Sequence, residues 1–337
     1  MRAELLLTSF LLAAGVSAGL TCWIVKANWQ WALDLPNERS LHANPVPRIG
    51  GLGLIVAIIA AGAAAQWMGY RWLWLDTALA GGLCAASLID DKRSLPVSLR
   101  LLTHAGAAAL CVGIAWMTGS GGNVYLPPWL WVPLAFLTLV AMSNFYNFMD
   151  GANGMAAGMA VIGFGTFALA SSATQPALAA LAMALAGAAL GFLVFNWQGR
   201  IFLGDCGSVP VGFLAASLGL SGWLSGAWTL WFPALVFAPF ITDATVTLLK
   251  RLLRGERVWQ AHREHYYQRV VRMGVSHARL AQGEYSLMAL CAAAALGLPE
   301  FGARGQALVF ATMVLLLFIP MLLIDARWRR YVRQHPA

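Results

Sequence analysis

Adjacent carboxylates directly after an apolar stretch are the first feature of the sequence that could do chemistry. Asp90 and Asp91 are followed by Lys92 and Arg93. Two carboxylates at a bilayer edge are costly unless a cation lies with them. The pair therefore indicates a metal or phosphate site, where one carboxylate binds the cation and the other orients a group or handles a proton. A solvated helix cap, with the two basic residues as counter-ions, is the alternative.

Two further clusters of polar residues interrupt apolar stretches. Asn144, Asn147 and Asp150 are three residues apart, so we expect them on one face at the end of a helix, which Gly-Ala-Asn153-Gly then breaks. Asp205 lies between glycines in Phe-Leu-Gly-Asp-Cys-Gly-Ser, ahead of a helix start, which suits a hard cation or a phosphate. Ordinary turns between apolar segments are the alternative for both clusters.

Histidine and arginine side chains that suit anions occupy two loops. The first is polar and rich in proline, and it contains Arg39, His42 and Arg48 ahead of Gly-Gly; a solvated loop is the alternative. The second lies within the basic stretch 250–284. Its candidates for anion binding are His262, Arg263, His265, Gln268 and Arg269. Zinc on the two histidines, or a basic helix lying on anionic lipid, are the alternatives for this loop.

The composition shows what kind of protein must position these residues. Of 337 residues, 60% are hydrophobic and 11% are charged, whereas about 25% of a soluble domain is charged. This excludes a soluble enzyme, a secreted disulfide scaffold and a disordered chain. The five cysteines have no metal-binding or redox spacing and are expected to be buried hydrophobes.

We predict an all-α, polytopic integral membrane protein that forms one domain over residues 1–337. Eleven apolar stretches approach the length that a bilayer requires, or ten if the shortest does not cross. The first is read as a retained span and not a cleaved signal peptide. The predicted spans are Leu5–Val25, Leu52–Gly69, Trp72–Ile89, Leu99–Met117, Trp129–Ser143, Met155–Ala170, Ala177–Phe195, Val209–Leu224, Trp228–Leu249, Tyr285–Leu298 and Ala307–Ile324.

Eleven spans place alternate loops on one side of the membrane, here called the basic face. Its segments are residues 26–50, 90–98, 144–154, 196–208, 250–284 and 325–337. Together with Arg100 at an adjoining helix start, they carry 19 of the 22 Lys and Arg residues. Positive charge marks the cytosolic side, so we predict that the N-terminus lies outside and that the active site is cytosolic.

All the polar clusters fall on the basic face. Asp, Asn, His and Arg with glycine turns, and no nucleophilic Ser–His pair, suit a metal–polyphosphate substrate, and the membrane implies that the other substrate is a lipid. The net charge of +8 reflects this orientation and does not indicate a nucleic-acid partner. A transporter or flippase is the alternative, although its charges would lie near the midplane. A basic lipid-anchored scaffold would not need the four aspartates.

The order of the motifs resembles the polyprenyl-phosphate N-acetylhexosamine-1-phosphate transferases, glycosyltransferase family 4. The shared motifs are Pro-Asn-x-Arg-Ser-x-His with Pro-Arg-x-Gly-Gly, Asp-Asp, Asn-x-x-Asn-x-x-Asp-Gly, Phe-x-Gly-Asp-x-Gly-Ser and His-Arg-x-His-x-Tyr-Gln-Arg. The last motif resembles the branch that initiates O-antigen in lipopolysaccharide biosynthesis more than the peptidoglycan branch of cell-wall biogenesis, which has adjacent histidines.

The resemblance implies transfer of N-acetylhexosamine-1-phosphate from a UDP-sugar to undecaprenyl phosphate, with UMP released and with Mg²⁺, or Mn²⁺ in its place, as cofactor. Whether transfer is direct or has two steps, and whether the protein is a homodimer, stays open. By motif position, the catalytic candidates are Asp90, Asp91, Asp150, His262 and His265. The substrate-binding candidates are Arg39, His42, Arg48, Arg100, Asn147, Asn153, Arg263, Gln268 and Arg269. The candidate metal ligand is Asp205.

Two positions stand apart from this assignment. Many family members carry a second Asp where this chain has Asn153, and an amide both donates and accepts hydrogen bonds. Position 153 is therefore assigned to binding and not to catalysis. Asp243, near the inner end of the ninth span, is a candidate for a structural carboxylate that packs on the site.

Overall fold

The computed structural model describes residues 2–27, 29–34, 45–93, 95–119, 126–258, 260 and 262–335, and these are mostly helical. The candidate residues Arg39 and His42 lie outside the described residues. The helices are α1 (Arg2–Ala27), α2 (Gly51–Trp67), α3 (Trp74–Arg93), α4 (Val97–Met117), α5 (Pro128–Phe148), α6 (Met155–Ser171), α7 (Pro176–Asn196), α8 (Asp205–Leu224), α9 (Trp231–Val236), α10 (Ala238–Leu253), α11 (Tyr266–Arg272), α12 (His277–Gly297) and α13 (Ala303–Gln334).

The remaining regular structure is small. The strands β1 (Leu33–Asp34) and β2 (Val46–Pro47) pair antiparallel, with Leu33 opposite Pro47. Short 3₁₀ helices occupy Gln30–Ala32 and Leu298–Glu300. The prediction of an all-α architecture is confirmed.

Six of the described helices are long and apolar enough to cross a bilayer: α1, α4, α5, α7, α8 and α13. This agrees with a multi-pass membrane protein. Each of the eleven predicted spans coincides with helix, but the number that cross the membrane stays a prediction. Large apolar side chains such as Leu102, Leu110, Leu315 and Leu322 lie on the outside of the bundle, where lipid would contact them.

The ninth predicted span, Trp228–Leu249, is not one helix. Helix α9 ends at Val236 and α10 begins at Ala238, with Pro239 in its first turn. Proline has no N–H to donate and disfavours helical backbone at the preceding residue, so the chain bends here. The tenth predicted span, Tyr285–Leu298, covers the second part of α12, which begins at His277.

Helix α8 forms the centre of the bundle and is buried along most of its length. It packs against α5 and α3, and also against α2 and α6. Asp205 is its first residue, so the centre of the bundle carries the candidate metal ligand at one end. Helices α3, α4 and α5 bring their polar ends to the same place.

The starts of α2 and α8 touch backbone to backbone. A Cβ atom added at Gly51 would lie 2.2 Å from the Cα and N atoms of Gly207. Because both of these are backbone atoms, they cannot rotate away. The two glycines therefore join the Pro-Arg-x-Gly-Gly motif to the Phe-x-Gly-Asp-x-Gly-Ser motif, although the motifs are far apart in the sequence.

Replacing Gly51 with Ala should destabilise the protein, since the new methyl group overlaps the backbone at Gly207. Overpacking of this kind costs about 1–3 kcal/mol, so we expect the apparent melting temperature in detergent to fall by several degrees. Gly165→Ala is the matched control, because a Cβ at that helical glycine meets no atom within 4 Å. Equal melting of the Gly51 variant and the wild type would contradict this close contact.

Candidate active site

A short backbone ladder carries Arg48 into the site. Phe202 N donates to Pro47 O at 2.8 Å, Gly50 N donates to Phe202 O at 3.0 Å, and Gly51 N donates to Leu203 O at 2.9 Å. Gly204 follows this ladder with φ +69°, and a Cβ there would lie 1.8 Å from Arg48 O. Only glycine fits both the left-handed backbone and the close approach.

Arg48 pairs with the second carboxylate of the Asp-Asp motif. Its guanidinium lies 2.8 Å from Asp91 Oδ1 and 3.8 Å from Asp34 Oδ1. The other oxygen, Asp91 Oδ2, is buried and has no hydrogen-bond partner among the described residues. An unpaired buried carboxylate oxygen is costly, and a cation or a donor from a substrate would remove that cost.

The charge environment of Asp91 is unusual for a carboxylate. The apolar span before it ends at Ile89, so Asp91 lies just beyond the membrane-spanning part of α3. Burial raises the pKa of Asp91 from its ordinary value of 3.8 to about 6. Arg48 opposes that rise, while the charges of Asp205 and Asp90 add to it. Like charges this close favour protonation unless a cation joins them.

Asp90 connects α3 to the start of α4. Its Oδ1 accepts a hydrogen bond from Leu95 N at 2.7 Å, and its Oδ2 lies 3.5 Å from Arg100. The first contact ties down the turn between the helices, and the second holds a guanidinium at the mouth of the site. Asp90 is therefore both a structural carboxylate and a charged wall of the site.

Asn147 and Asp150 meet the loop that precedes α8. The Asn147 side chain hydrogen-bonds Asp205, and its Oδ1 accepts from Ser208 Oγ at 2.8 Å. The expectation that Asp150 shares a helix face with Asn147 is wrong, because α5 ends at Phe148. Asp150 lies in the turn beyond the helix and accepts a hydrogen bond from the Gly204 backbone.

Asp150 also carries an unfavourable charge. Burial raises its pKa well above the ordinary value, and the neighbouring charge of Asp205 raises it further. Arg48 and Arg100 both act on Asp205. The structure therefore brings four predicted carboxylates into one electrostatic unit, and Arg48 and Arg100 are the arginines that act on it among the described residues.

A cavity of about 400 Å³ opens among the ends of α3, α4, α5 and α8. Its apolar walls include Leu101, Val209 and Leu248. Its polar lining includes Asp90, Arg100, His104, Asn144, Asn147 and Asp205, with Ser87 and Thr103 beside them. The mixture of acidic, basic and apolar walls suits an amphipathic anion better than a fully water-soluble ligand.

The residues present fit a hard divalent cation held jointly with a substrate. In the part of the chain that the structure describes, no three His, Cys, Asp or Glu side chains converge closely enough to hold a metal ion. Mg²⁺, however, commonly uses one or two carboxylates together with substrate phosphates and water. The unpartnered Asp91 Oδ2 and the nearby carboxylates of Asp90 and Asp205 agree with that mode of binding.

The histidine loop is organised by a buried carboxylate, Asp243. Its Oδ1 lies 3.2 Å from His265 Nδ1 and accepts from Tyr266 N at 3.0 Å, while its Oδ2 accepts from Tyr267 N at 3.1 Å. Thr247 Oγ1 also donates to it at 3.0 Å. The Asp243 side chain thus caps α11 and orients the His265 ring. This is the structural role expected for Asp243 from the sequence.

The rings of the two predicted histidines contact each other at a tilt beside the end of α5. Their ring centroids lie 4.8 Å apart, and the His265 ring stacks on Phe148 at 5.7 Å. Burial, with help from the charges of His265 and Arg251, lowers the pKa of His262 to about 4. His262 is therefore neutral near pH 7 and can exchange a hydrogen bond but brings no positive charge.

Other predicted residues of this loop make contacts within the protein. Gln268 Oε1 accepts from His265 N at 3.2 Å and completes the cap of α11. Arg269 is buried and pairs with Asp325 of α13 at 3.0 Å. The Arg263 carbonyl lies 3.5 Å from Arg272. The structure does not bring these three residues to the cavity.

Asn153 lies in the turn between α5 and α6, on the side facing α12. Its backbone N–H donates to His277 Nδ1 at 3.1 Å, and its amide lies next to Gly199. The turn is also held by Tyr267, which donates to Phe148 O at 2.9 Å, and by Tyr285, which donates to Gly154 O at 2.7 Å. These tyrosines join the turn to α11 and α12.

Sequence reasoning missed two residues that the fold brings to this region. His104 lines the cavity one helical turn after Arg100, a spacing that places both on one helix face and that could have been noticed. The Asp325 carboxylate accepts hydrogen bonds from Arg269, Tyr266 and Lys250. It lies so far along the chain that no local pattern indicates these contacts.

Comparison with known proteins identifies the family. Residues 72–222 match the family model for glycosyl transferase family 4. A phospho-N-acetylmuramoyl-pentapeptide-transferase of Synechococcus sp. (strain JA-2-3B'a(2-13)) is 32% identical, and the match covers 83% of both chains. The protein belongs to glycosyl transferase family 4.

Other relatives carry related names. A decaprenyl-phosphate N-acetylglucosaminephosphotransferase of Mycolicibacterium smegmatis is 29% identical over 93% of this chain and 87% of its own. A probable undecaprenyl-phosphate N-acetylglucosaminyl 1-phosphate transferase of Bacillus subtilis is 28% identical over 73% of this chain and 71% of its own. The family-4 protein is thus a membrane-bound phosphosugar transferase.

The family match extends from α3 to α8 and includes four of the site aspartates. Arg48 and His265 lie outside the matched residues. They reach the same region through the backbone ladder at Gly50 and through Asp243. The family-4 site is therefore completed by segments on both sides of the matched core.

Asp91→Asn should stabilise the metal-free protein at pH 7.5. The pKa of Asp91 lies above its ordinary value of 3.8, so the folded chain holds this proton more tightly than the unfolded chain. The free energy of unfolding therefore falls as the pH rises from about 4 to about 6. Above that range, the ionised Asp91 carboxylate destabilises the folded protein. Asn carries no charge, so the variant does not lose this stability.

The check is a pH series of melting temperatures in EDTA. The variant should melt higher than the wild type at pH 7.5, and the two curves should converge toward pH 4. A variant that is less stable than the wild type at pH 7.5 would show that Asp91 is stabilised as a carboxylate, contrary to its environment.

Asp243→Asn should lower sugar-phosphate transfer by about tenfold or more, because an amide cannot accept from His265, Tyr266 and Tyr267 together. A tenfold loss corresponds to about 1.4 kcal/mol of barrier. Turnover and melting temperature are measured together. Thr247→Val is the control, since it removes one hydrogen bond to Asp243 and leaves the contacts to the histidine loop. If both variants lose the same activity, Asp243 does not position His265.

Proposed function

We propose that the protein transfers N-acetylhexosamine-1-phosphate from a UDP-sugar to undecaprenyl phosphate at the cytosolic face of the bacterial inner membrane. The products are undecaprenyl-diphospho-sugar and UMP. The observation that carries the proposal is the convergence of four aspartates and two arginines at the ends of apolar helices. Of this group, Asp90, Asp205 and Arg100 line the cavity. The form of the histidine loop favours a role in starting an envelope polysaccharide such as O-antigen.

The reaction requires one bond to form and one to break at the same phosphorus. A phosphate oxygen of the lipid attacks the β-phosphorus of the UDP-sugar, and the bond from that phosphorus to the bridging oxygen breaks as UMP leaves. The lipid phosphate is already an anion and needs little activation. Positioning and charge neutralisation therefore dominate, as in other phosphoryl transfers.

The residues of this chain have separate tasks in such a site. Arg48 and Arg100 attract the phosphates and offset the negative charge of the carboxylates. Asp90 and Asp91 position the lipid phosphate or take its proton. Asp205 would hold Mg²⁺, which supplies charge stabilisation to the diphosphate when it is bound. His265, oriented by Asp243, is a donor for the sugar or a phosphate.

An apolar groove supports a lipid as the acceptor. It has a volume of about 260 Å³ and contains Leu139 and Met142 of α5, Ala216 of α8 and Ile241 of α10. The same three helices line the site cavity through Asn147, Asp205 and Leu248. The groove thus lies further along the same helices, in the apolar part of the bundle, where a polyprenyl chain would be buried.

A transporter or flippase is less well supported. Its charged groups should line a path near the bilayer midplane. Here the acidic residues lie at helix ends: Asp90 and Asp91 at the end of α3, and Asp205 at the start of α8. Asp150 lies just after α5. This placement favours chemistry at one membrane surface.

The deciding assay combines the purified protein, Mg²⁺ and undecaprenyl phosphate with a panel of UDP-N-acetylhexosamines and measures UMP release. We expect release with at least one amino sugar, and its loss on addition of EDTA. Asp205→Asn should abolish turnover without a fall in melting temperature. His265→Ala should lower turnover at least tenfold, or about 1.4 kcal/mol of barrier.

Matched controls separate these effects from general damage. Glu300→Gln makes the same acid-to-amide change at an exposed residue, and His335→Ala removes an exposed histidine near the C-terminus. Both should turn over like the wild type. Absence of UMP release with every sugar, or turnover that resists the chelator, would refute the proposed reaction. Full activity of the Asp205 and His265 variants would refute the site.

A further inference from the structure

His104 is a buried histidine in the cavity that the proposed reaction does not yet use. Its side chain is 8% exposed and lines the cavity together with Asp90 and Arg100. It lies on α4, one turn further from the basic face than Arg100. None of the sequence motifs contains it.

The hydrogen bonds of Asn144 determine which nitrogen of His104 carries the proton. Asn144 Nδ2 donates to the carbonyl of Val140 at 2.7 Å and lies 3.3 Å from His104 Nδ1. The carbonyl can only accept, so the atom facing it must be the amide nitrogen. That nitrogen has two hydrogens and no acceptor capacity. His104 Nδ1 is therefore an acceptor, and the neutral ring carries its proton on Nε2.

The Nε2–H group has no hydrogen-bond partner among the described residues. The only hydrogen bond of His104 with the described residues is made by Nδ1. Nε2 is not among the side-chain nitrogens that are sealed off without a partner, so it is open to the cavity that the ring lines. A donor in a partly apolar cavity needs an acceptor, and an anionic oxygen is the strongest one available.

The depth of His104 indicates which substrate supplies that oxygen. Four residues of helix correspond to about 6 Å, so His104 lies about 6 Å deeper in the bundle than Arg100. The neighbouring walls, Leu101, Val209 and Leu248, are apolar. A nucleotide sugar enters from water, whereas a lipid phosphate enters from the bilayer side, where His104 lies.

We propose that His104 Nε2–H donates a hydrogen bond to the phosphate of the polyprenyl acceptor and fixes its depth in the cavity, an inference that rests on the proposed function. Asn144 acts through His104 by holding the ring in this tautomer. Arg100 supplies charge at the mouth of the cavity, and His104 supplies a directed neutral donor at its inner end.

Two substitutions separate the donor from the structural contact. His104→Gln places an amide donor near the former Nε2 position, whereas His104→Asn keeps a polar group only near the former Nδ1 position, facing Asn144. We expect the Asn variant to raise KM for undecaprenyl phosphate about tenfold, the loss of one hydrogen bond to a charged group. The Gln variant should recover most of that loss, and KM for the UDP-sugar should change little in either.

Three results would overturn the proposal. If the Asn variant performs better than the Gln variant, His104 acts by holding Asn144. If KM for the UDP-sugar rises instead, the donor serves the nucleotide diphosphate. If neither KM changes, His104 contacts no substrate. Melting temperatures of both variants show whether a loss of activity comes from misfolding.

A binding measurement separates this proposal from the proposed function. Native mass spectrometry of the full chain compares retention of undecaprenyl phosphate with that of undecaprenol, which lacks the phosphate. The wild type and the Gln variant should retain undecaprenyl phosphate in preference to undecaprenol. In the Asn variant, the ratio of the two affinities should fall about tenfold. Preferential binding without any UMP release would refute the transferase reaction and leave the His104 contact standing. Equal preference in wild type and Asn variant would refute the contact.

Discussion

Repulsion among the carboxylates that the fold places together at the end of the helical bundle is the main constraint on this site. Asp91 and Asp150 are partly buried, and the charge of Asp205 acts on both of them. Like charges repel strongly where water is excluded. Arg48 and Arg100 offset only part of this cost, because Asp91 Oδ2 stays without a partner. Such an arrangement is stable only in a well-packed bundle, and it prepares the site for a cation and an anionic substrate.

Backbone contacts, and not long side chains, hold together the segments that carry the charged residues of the site. The ladder between Pro47 and Phe202 and the contact between Gly51 and Gly207 bring two distant motifs within hydrogen-bond distance. Backbone contacts of this kind leave little freedom, so the backbone at Arg48 is held beside the Asp-Asp motif. The glycines of these motifs are therefore explained by the proximity of two chain segments, in addition to any contact with a ligand.

The histidine loop is attached to this core by a second set of contacts. Asp243 accepts from the first turn of α11 and from His265, and Tyr267 connects the same turn to Phe148. On the far side, Arg269 joins the loop to Asp325 of α13. The loop is thus held between the end of α5 and the last helix. Its histidines are placed by the tertiary structure, while several of its other polar residues stabilise the loop itself.

The sequence by itself determined the membrane class and the helical architecture, and it predicted the four aspartates that the structure brings close together. Apolar composition and span length depend on the bilayer, and adjacent aspartates at the end of an apolar segment have few structural explanations. The three-residue spacing nevertheless predicted that Asp150 lies on a helix, which in fact ends at Phe148. The apolar run likewise predicted one span where the helix is interrupted at Phe237. Local patterns do not show where a helix stops when tertiary contacts decide it.

Only the tertiary structure decided which polar residues face the cavity. Arg269 and Gln268 have the right chemistry for a substrate, but their partners Asp325 and His265 occupy them. His104 belongs to no motif and still lines the cavity, because the turn of α4 places it on the face that carries Arg100. The physical reason is that residue type and spacing define what a side chain can bind, whereas the packing of distant segments defines what it meets.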